Sequence, residues 1–130
     1  MPTMTAEQSR SIAKLYSDLA SALAGYRFSH WTELSRAQRA EIESHEWTLL
    51  TYSSNMAARS IRLAGEESAT ALAGITRATK RLTAAVRGVA SVKRAFAIAA
   101  SAVALGGAIA SGHALAIGEA VSEALRVADG

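Results

Sequence analysis

The sequence predicts an all-α fold. The helical bundle would consist of an N-terminal helical hairpin, a long or broken amphipathic helix and an apolar C-terminal helical hairpin. The single Pro is residue 2, so no Pro interrupts the later helical patterns. Half of the residues are hydrophobic, and they are rich in Ala and poor in β-branched types, which disfavours a sheet. At 130 residues, the chain fits one domain, residues 1–130.

The first helix is predicted over residues 4–26. Thr5 and Gln8 have the spacing of a capping box, which satisfies free N–H groups at a helix start. Apolar residues then recur at steps of three and four and share one face, namely Ile12, Leu15, Tyr16, Leu19, Leu23 and Tyr26. Gly25 and the segment 26–31 are expected to connect this helix to the next.

The second predicted element covers residues 33–90. Ser35 and Gln38 form another capping box, and no Pro follows. An unbroken helix of this length would extend about 80 Å, beyond the usual range in globular domains. A break near 63–65 or at Gly74 would give ordinary lengths.

A heptad pattern runs from residue 61 to residue 96. Its a positions include the predicted helix seam, formed by Ile61, Ile75, Leu82 and Val89. Most d positions hold Ala, so the pattern is typical of a coiled-coil helix that a neighbouring helix approaches closely. Lys80, Arg87 and Arg94 share a position on the opposite side.

Residues 95–118 contain no charged side chain over 24 positions, and sixteen of them are Ala, Gly or Ser. We predict an apolar helix over 91–110 and an amphipathic helix over 114–128, separated by Ser111-Gly112-His113. His113 is expected to be a polar residue at this turn. This hairpin would be buried in a core or oligomer interface, or it would insert into a bilayer.

Six basic residues and no acidic one lie between residues 69 and 94, directly before the apolar segment. This order is typical of a segment drawn to an anionic membrane surface. The alternative is an ordinary solvated helix face. Nucleic acid is disfavoured because no aromatic residue interleaves the basic ones. The predicted surface comprises Arg77, Lys80, Arg81, Arg87, Lys93, Arg94, Phe96, Ile98, Val103, Leu105 and Ile109.

Six of the seven aromatic residues lie between residues 16 and 52. We expect them to be core anchors that hold the first helix against the second, because buried aromatics supply large contact areas. The alternative is a binding surface built on Trp31 and Trp47.

No catalytic motif is present, and we expect no enzyme activity, cofactor or metal. Glu41, Glu43, His45 and Glu46 form the densest cluster of titratable residues, but they lack the paired Glu-x-x-His spacing of di-metal bundles. The chain has no Cys and no signal-peptide pattern at its start, which favours the cytoplasm, with membrane association left open.

Two functions of different class remain. The first is a non-enzymatic helical interaction or assembly protein that buries its Ala-rich seam and apolar hairpin by self-association or against another helical protein. The second is a membrane-active protein that docks through the basic segment 77–94 and inserts residues 95–118.

Overall fold

The computed structural model describes residues 5–58, 61, 65–89 and 91–130, without the side chains of 65–68. Over these residues the chain forms five α-helices and no strand. The helices are α1 (Ala6–Ser29), α2 (Arg36–Ala58), α3 (Gly65–Gly88), α4 (Val92–Ser111) and α5 (Ala114–Asp129). The predicted all-α bundle is therefore confirmed.

The helices pack side by side in a closed ring. α1 contacts α2 and α3, α2 contacts α4, and α5 lies between α3 and α4, which also share a smaller contact. Every helix points apolar side chains into the ring. The largest fully buried side chains are Ile12, Tyr16, Leu19, Leu23, Ile42, Leu49, Ile75, Leu82, Ile98, Leu105 and Ile109.

Both predicted capping boxes are present. The Thr5 hydroxyl accepts a hydrogen bond from the Gln8 N–H, and the Gln8 side chain accepts one from the Thr5 N–H. The same reciprocal pair joins Ser35 and Gln38 at the start of α2. These residues fix the two helix starts because they satisfy N–H groups that have no partner within the helix.

The first helix is longer than the predicted 4–26 at its C-terminal end. It continues to Ser29, and Tyr26 is buried within it at 4 % exposure rather than forming a connection. The His30 N–H donates to the Tyr26 carbonyl at 3.0 Å and ends the helix. Burial of Tyr26 therefore outweighed the weak helix propensity of Gly25. Residue 4 lies outside the described residues.

The predicted element 33–90 consists of two helices rather than one, which agrees with the expectation that it is broken. α2 ends at Ala58 and α3 begins at Gly65, one of the predicted break positions, whereas Gly74 lies inside α3. Ile61 is buried and non-helical, and its N–H donates to the Ser9 hydroxyl of α1 at 3.0 Å. Leu63 and Ala64 are outside the described residues.

A continuous heptad helix from 61 to 96 is not formed. α3 ends at Gly88, and Ser91 starts α4 by accepting a hydrogen bond from the Arg94 N–H. The seven-residue spacing thus spans a helix boundary, since Val89 precedes the boundary and Phe96 follows it. Gly112 ends α4 with φ 72°, a left-handed conformation that favours glycine.

Candidate functional site

The predicted basic surface is largely exposed, but two of its cations are used within the fold. Arg77, Lys80, Arg87 and Lys93 are exposed. Arg81 pairs with Asp129 at 2.7 Å, and Arg94 donates to the Ala128 carbonyl at 2.7 Å, so both tie neighbouring helices to the end of α5. The remaining exposed cations of α3 form one basic stripe.

Three apolar residues of the predicted surface lie inside the closed bundle. Ile98, Leu105 and Ile109 are buried at 1 % exposure or less, because they form the inner side of α4 within the ring. Phe96 and Val103 are half-buried against the same core. The exposed side of α4 consists mainly of Ala97, Ala100, Ala104, Gly107 and Ala110.

The predicted seam is buried within the chain. Ile61, Ile75, Leu82 and Val89 all belong to the core cluster, with Ile75 and Leu82 fully buried. α3 uses this side to pack against α1 and α5. These four residues are therefore not exposed to a second molecule in this structure.

Three aromatic residues that were expected to anchor the core are instead exposed. Phe28 is 65 %, Trp31 45 % and Trp47 63 % exposed, and Leu50 lies one turn after Trp47 at 36 %. Tyr16 and Tyr26 are buried, and Tyr52 is half-buried against the same core. The Tyr16 hydroxyl donates to the Ala102 carbonyl of α4 at 3.1 Å. We name Phe28, Trp31, Trp47 and Leu50 the aromatic face.

The pairing of α1 with α2 determines where the aromatic face lies. Ser53 of α2 donates to the Ala13 carbonyl of α1, and Arg27 of α1 bonds to Glu46 of α2, so the two helices are antiparallel. Phe28 and Trp47 each follow a member of the Arg27–Glu46 pair. One residue step turns a side chain by about 100°, and in antiparallel helices both steps lead to the same side of the hairpin.

An almost buried ion pair fixes this geometry. The Arg27 guanidinium donates two hydrogen bonds to the Glu46 carboxylate, at 2.7 and 3.0 Å, and the two side chains are 11 % and 9 % exposed. The hydrogen bond to Glu46 raises the pKa of Arg27 above its ordinary value, despite an opposing effect of burial. The guanidinium carbon also lies 4.7 Å from the centroid of the Phe28 ring. Arg27 thus positions Phe28 at the hairpin surface.

Trp31 is held in a similar way from α2. Arg39 donates to the carbonyls of Trp31 and Leu34, and its guanidinium lies 4.4 Å from the Trp31 ring centroid. The Trp31 and Phe28 rings are nearly parallel, with centroids 6.2 Å apart. Contacts with Arg27 and Arg39, together with the stacking of the two rings, therefore hold this exposed apolar surface in a fixed conformation.

Shallow clefts lie elsewhere on the described residues, and two of them adjoin α3. One, of about 620 Å³, separates α3 from α5 and is lined by small residues and Arg77. The other, of about 340 Å³, lies between the ends of α1 and α3 beside Tyr26, His30 and Arg87. The buried Tyr26 hydroxyl has no hydrogen-bond partner among the described residues, and burial, with a smaller effect of Glu33, raises its pKa.

The acidic cluster does not converge on one point. Glu46 is buried toward Arg27, whereas Glu41 and Glu43 are exposed. Across the described residues no three His, Cys, Asp or Glu side chains lie close enough to hold a metal ion. The side chains of the aromatic face are apolar, and the neighbouring Arg27 and Arg39 are held by ring, carboxylate and carbonyl contacts.

The aromatic face could have been recognised from helical spacing. In α2, Ile42, Leu49 and Met56 recur every seven residues and are buried. Trp47 lies about 140–160° around the helix from Ile42 and Leu49, which places it on the outside. The Arg27–Glu46 pair had no local sequence signal, because its residues are far apart in sequence.

Comparison with known proteins adds no relationship, since no protein-family model, curated protein or solved structure matches the chain.

Proposed function

We propose that this protein is a non-enzymatic helical assembly protein that docks on another helical protein surface through the aromatic face. The carrying observation is that Phe28 and Trp47 are each more than 60 % exposed on a single side of one hairpin. Exposed aromatic clusters of this kind mark interaction sites, and Trp is prominent among the residues that dominate binding energy.

The fixed conformation of the aromatic face also supports a binding role. Arg27 and Arg39 hold the Phe28 and Trp31 rings in place before any partner arrives. A preordered surface loses less side-chain entropy on association than a flexible one. The partner surface need only supply apolar contacts and a helix side that fits beside α2.

Site-specific photo-crosslinking in the cells of origin tests this function. Phe28→benzoylphenylalanine places the reactive group on the aromatic face, and Ala84→benzoylphenylalanine places it on an exposed part of α3. We expect a discrete protein crosslink from position 28 and none of comparable yield from position 84. Equal yields at the two positions, or no product at position 28, would contradict the proposal.

A membrane-active role is the second candidate, and one helix favours it. α4 is long and apolar enough to cross a bilayer, since it has 20 residues and a mean hydropathy of 1.5. The basic stripe of α3, formed by Arg77, Lys80 and Arg87, would attract anionic lipid. Insertion would require α4 to leave the bundle, however, and expose the core side chains that it now covers.

A further inference from the structure

The cleft between α3 and α5 is a groove along two parallel helices, and we name it the α3–α5 groove. Gly74 of α3 lies beside Val121 of α5, and Arg81 bonds to Asp129 at 2.7 Å, so residue numbers rise in the same direction on both helices. The lining residues lie between positions 70 and 77 of α3 and between 114 and 121 of α5. Seven steps along a helix extend about 10 Å, so this space of about 620 Å³ is elongated.

The lining of the α3–α5 groove consists mostly of small or apolar residues. Ile117 is buried at 1 % exposure, and Ala71 and Gly74 are half-buried beside it between the two helices. Ala73 and Gly118 are exposed at the rim, so the groove is open to solvent. Because these side chains are short, the groove has room for an apolar chain that lies along the helices.

Arg77 is the one charged residue among the described residues that line the groove. It is exposed, and no ion pair joins it to another described residue. The acidic residues in the C-terminal half of α5 are already paired, Glu123 with Arg126 and Asp129 with Arg81. A guanidinium at the end of an apolar groove complements a carboxylate, to which it can donate two parallel hydrogen bonds.

We propose that the α3–α5 groove binds a free medium-chain fatty acid, with the carboxylate on Arg77 and the alkyl chain directed toward Ala114. Arg77 favours an anionic head group, whereas the apolar lining disfavours polar groups along the tail, since these would lose hydrogen bonds to water. A fatty carboxylate of about the size of octanoate meets both conditions over a length of about 10 Å. The described lining residues belong to α3 and α5, so the site is separate from the aromatic face and the inference goes beyond the proposed function.

Octanoate and its neutral counterpart octanol are the probes for this site, and a ¹H–¹⁵N NMR titration measures their binding. We expect octanoate to shift the amide signals of Gly74 and Gly118 saturably, and to bind about fivefold more tightly than octanol, because only octanoate can pair with Arg77. Arg77→Gln should weaken octanoate binding about fivefold and remove its preference over octanol. Arg87→Gln removes another exposed cation of α3 and, as the matched control, should leave both affinities unchanged.

Gly118→Leu tests the position of the alkyl chain. A Cβ at Gly118 would meet no neighbouring atom of the described residues within 4 Å, and Leu has the better helix propensity, so the fold should tolerate the change. The Leu side chain should fill the groove and weaken octanoate binding about tenfold, because the buried CH₂ groups of the ligand lose their place. Gly25→Leu on α1, where a Cβ likewise meets open space, is the matched control and should bind octanoate as the wild-type protein does.

The proposed site would be refuted by the absence of saturable shifts at Gly74 and Gly118, or by equal affinities of the wild-type protein for octanoate and octanol. Unchanged octanoate binding by Arg77→Gln or by Gly118→Leu, each shown to be folded by circular dichroism, would also refute it. So would saturable shifts confined to the aromatic face, because the exposed rings would then be what takes up apolar molecules. Crosslinking at position 28 does not depend on these results, so the proposed function is tested separately.

Discussion

At the scale of single residues, Gly106 shows most clearly how the bundle is packed. A Cβ at this position would overlap the ring of Tyr52 from α2. The Tyr52 ring in turn meets the buried Tyr16 ring edge-on, with centroids 6.2 Å apart. Tyr52 is thus wedged between α1 and α4, and it cannot easily move away from an added methyl group.

We predict that Gly106→Ala destabilises the protein by about 1–3 kcal/mol, the usual cost of overpacking a core, despite the better helix propensity of Ala. Thermal unfolding followed by circular dichroism should show the midpoint falling by several degrees. Gly107→Ala is the matched control, since its nearest neighbour, the Tyr52 hydroxyl, would be 3.6 Å from the new Cβ. Equal midpoints for the two variants would contradict the wedge.

The aromatic residues fall into a buried group and an exposed group. Tyr16 is fully buried with a hydrogen bond to Ala102, whereas Phe28 and Trp47 are left outside the core. A count of aromatics along the sequence cannot make this division, because it ignores the side of the helix on which each residue lies. For Trp47 the distinction can be made, because its angular position relative to Ile42 and Leu49 places it on the outer side of α2.

At the scale of elements, the Arg27–Glu46 pair sets how α1 meets α2. Both side chains are about nine-tenths buried, so removing one leaves an unpaired charge in a poorly solvated place. A pair of this kind fixes geometry more than it adds stability. It therefore orders the hairpin side on which Phe28 and Trp47 lie.

We predict that Glu46→Ala or Arg27→Ala alone destabilises the fold by about 3 kcal/mol, whereas Arg27→Leu combined with Glu46→Leu costs about 1 kcal/mol or less. Urea unfolding of the three variants measures these differences. Lys14→Ala is a suitable comparison, because its pair with Asp18 is exposed and should contribute little. A single variant as stable as the double one would show that the pair has no such role.

Helix boundaries were predictable where local chemistry marks them. Thr5, Ser35 and Gly112 each carry a capping signal that acts within a few residues. The end of α1 could not be predicted in this way, because the burial of Tyr26 depends on residues that are distant in sequence. The predicted apolar helix 91–110 lies close to α4 (Val92–Ser111), although the heptad spacing continues across the start of α4.

At the scale of the whole molecule, the closed ring accounts for the apolar C-terminal segment. α4 lies between α2 and α5, and its large apolar residues Ile98, Leu105 and Ile109 fill the core. The sequence predicted that this segment is apolar, but not which residues face inward, because this depends on which helices surround α4. Beyond Lys93, its exposed side is small and uncharged, while the large exposed rings lie on the α1–α2 hairpin.

The two candidate functions require different states of this ring. A protein-docking role uses the closed bundle, with the aromatic face already outside. A membrane role requires the ring to open so that α4 can insert. We propose that the closed bundle is the functional form.

Co-flotation with liposomes tests that claim most directly. Purified protein is mixed with anionic and with neutral vesicles at low and high salt, and light scattering gives the size of the unbound fraction. We predict no flotation at high salt and a discrete, non-aggregated particle size in the unbound fraction. Salt-resistant flotation with anionic vesicles, lost when Ala100→Glu and Ala104→Glu are combined on the exposed side of α4, would contradict the account and favour membrane insertion.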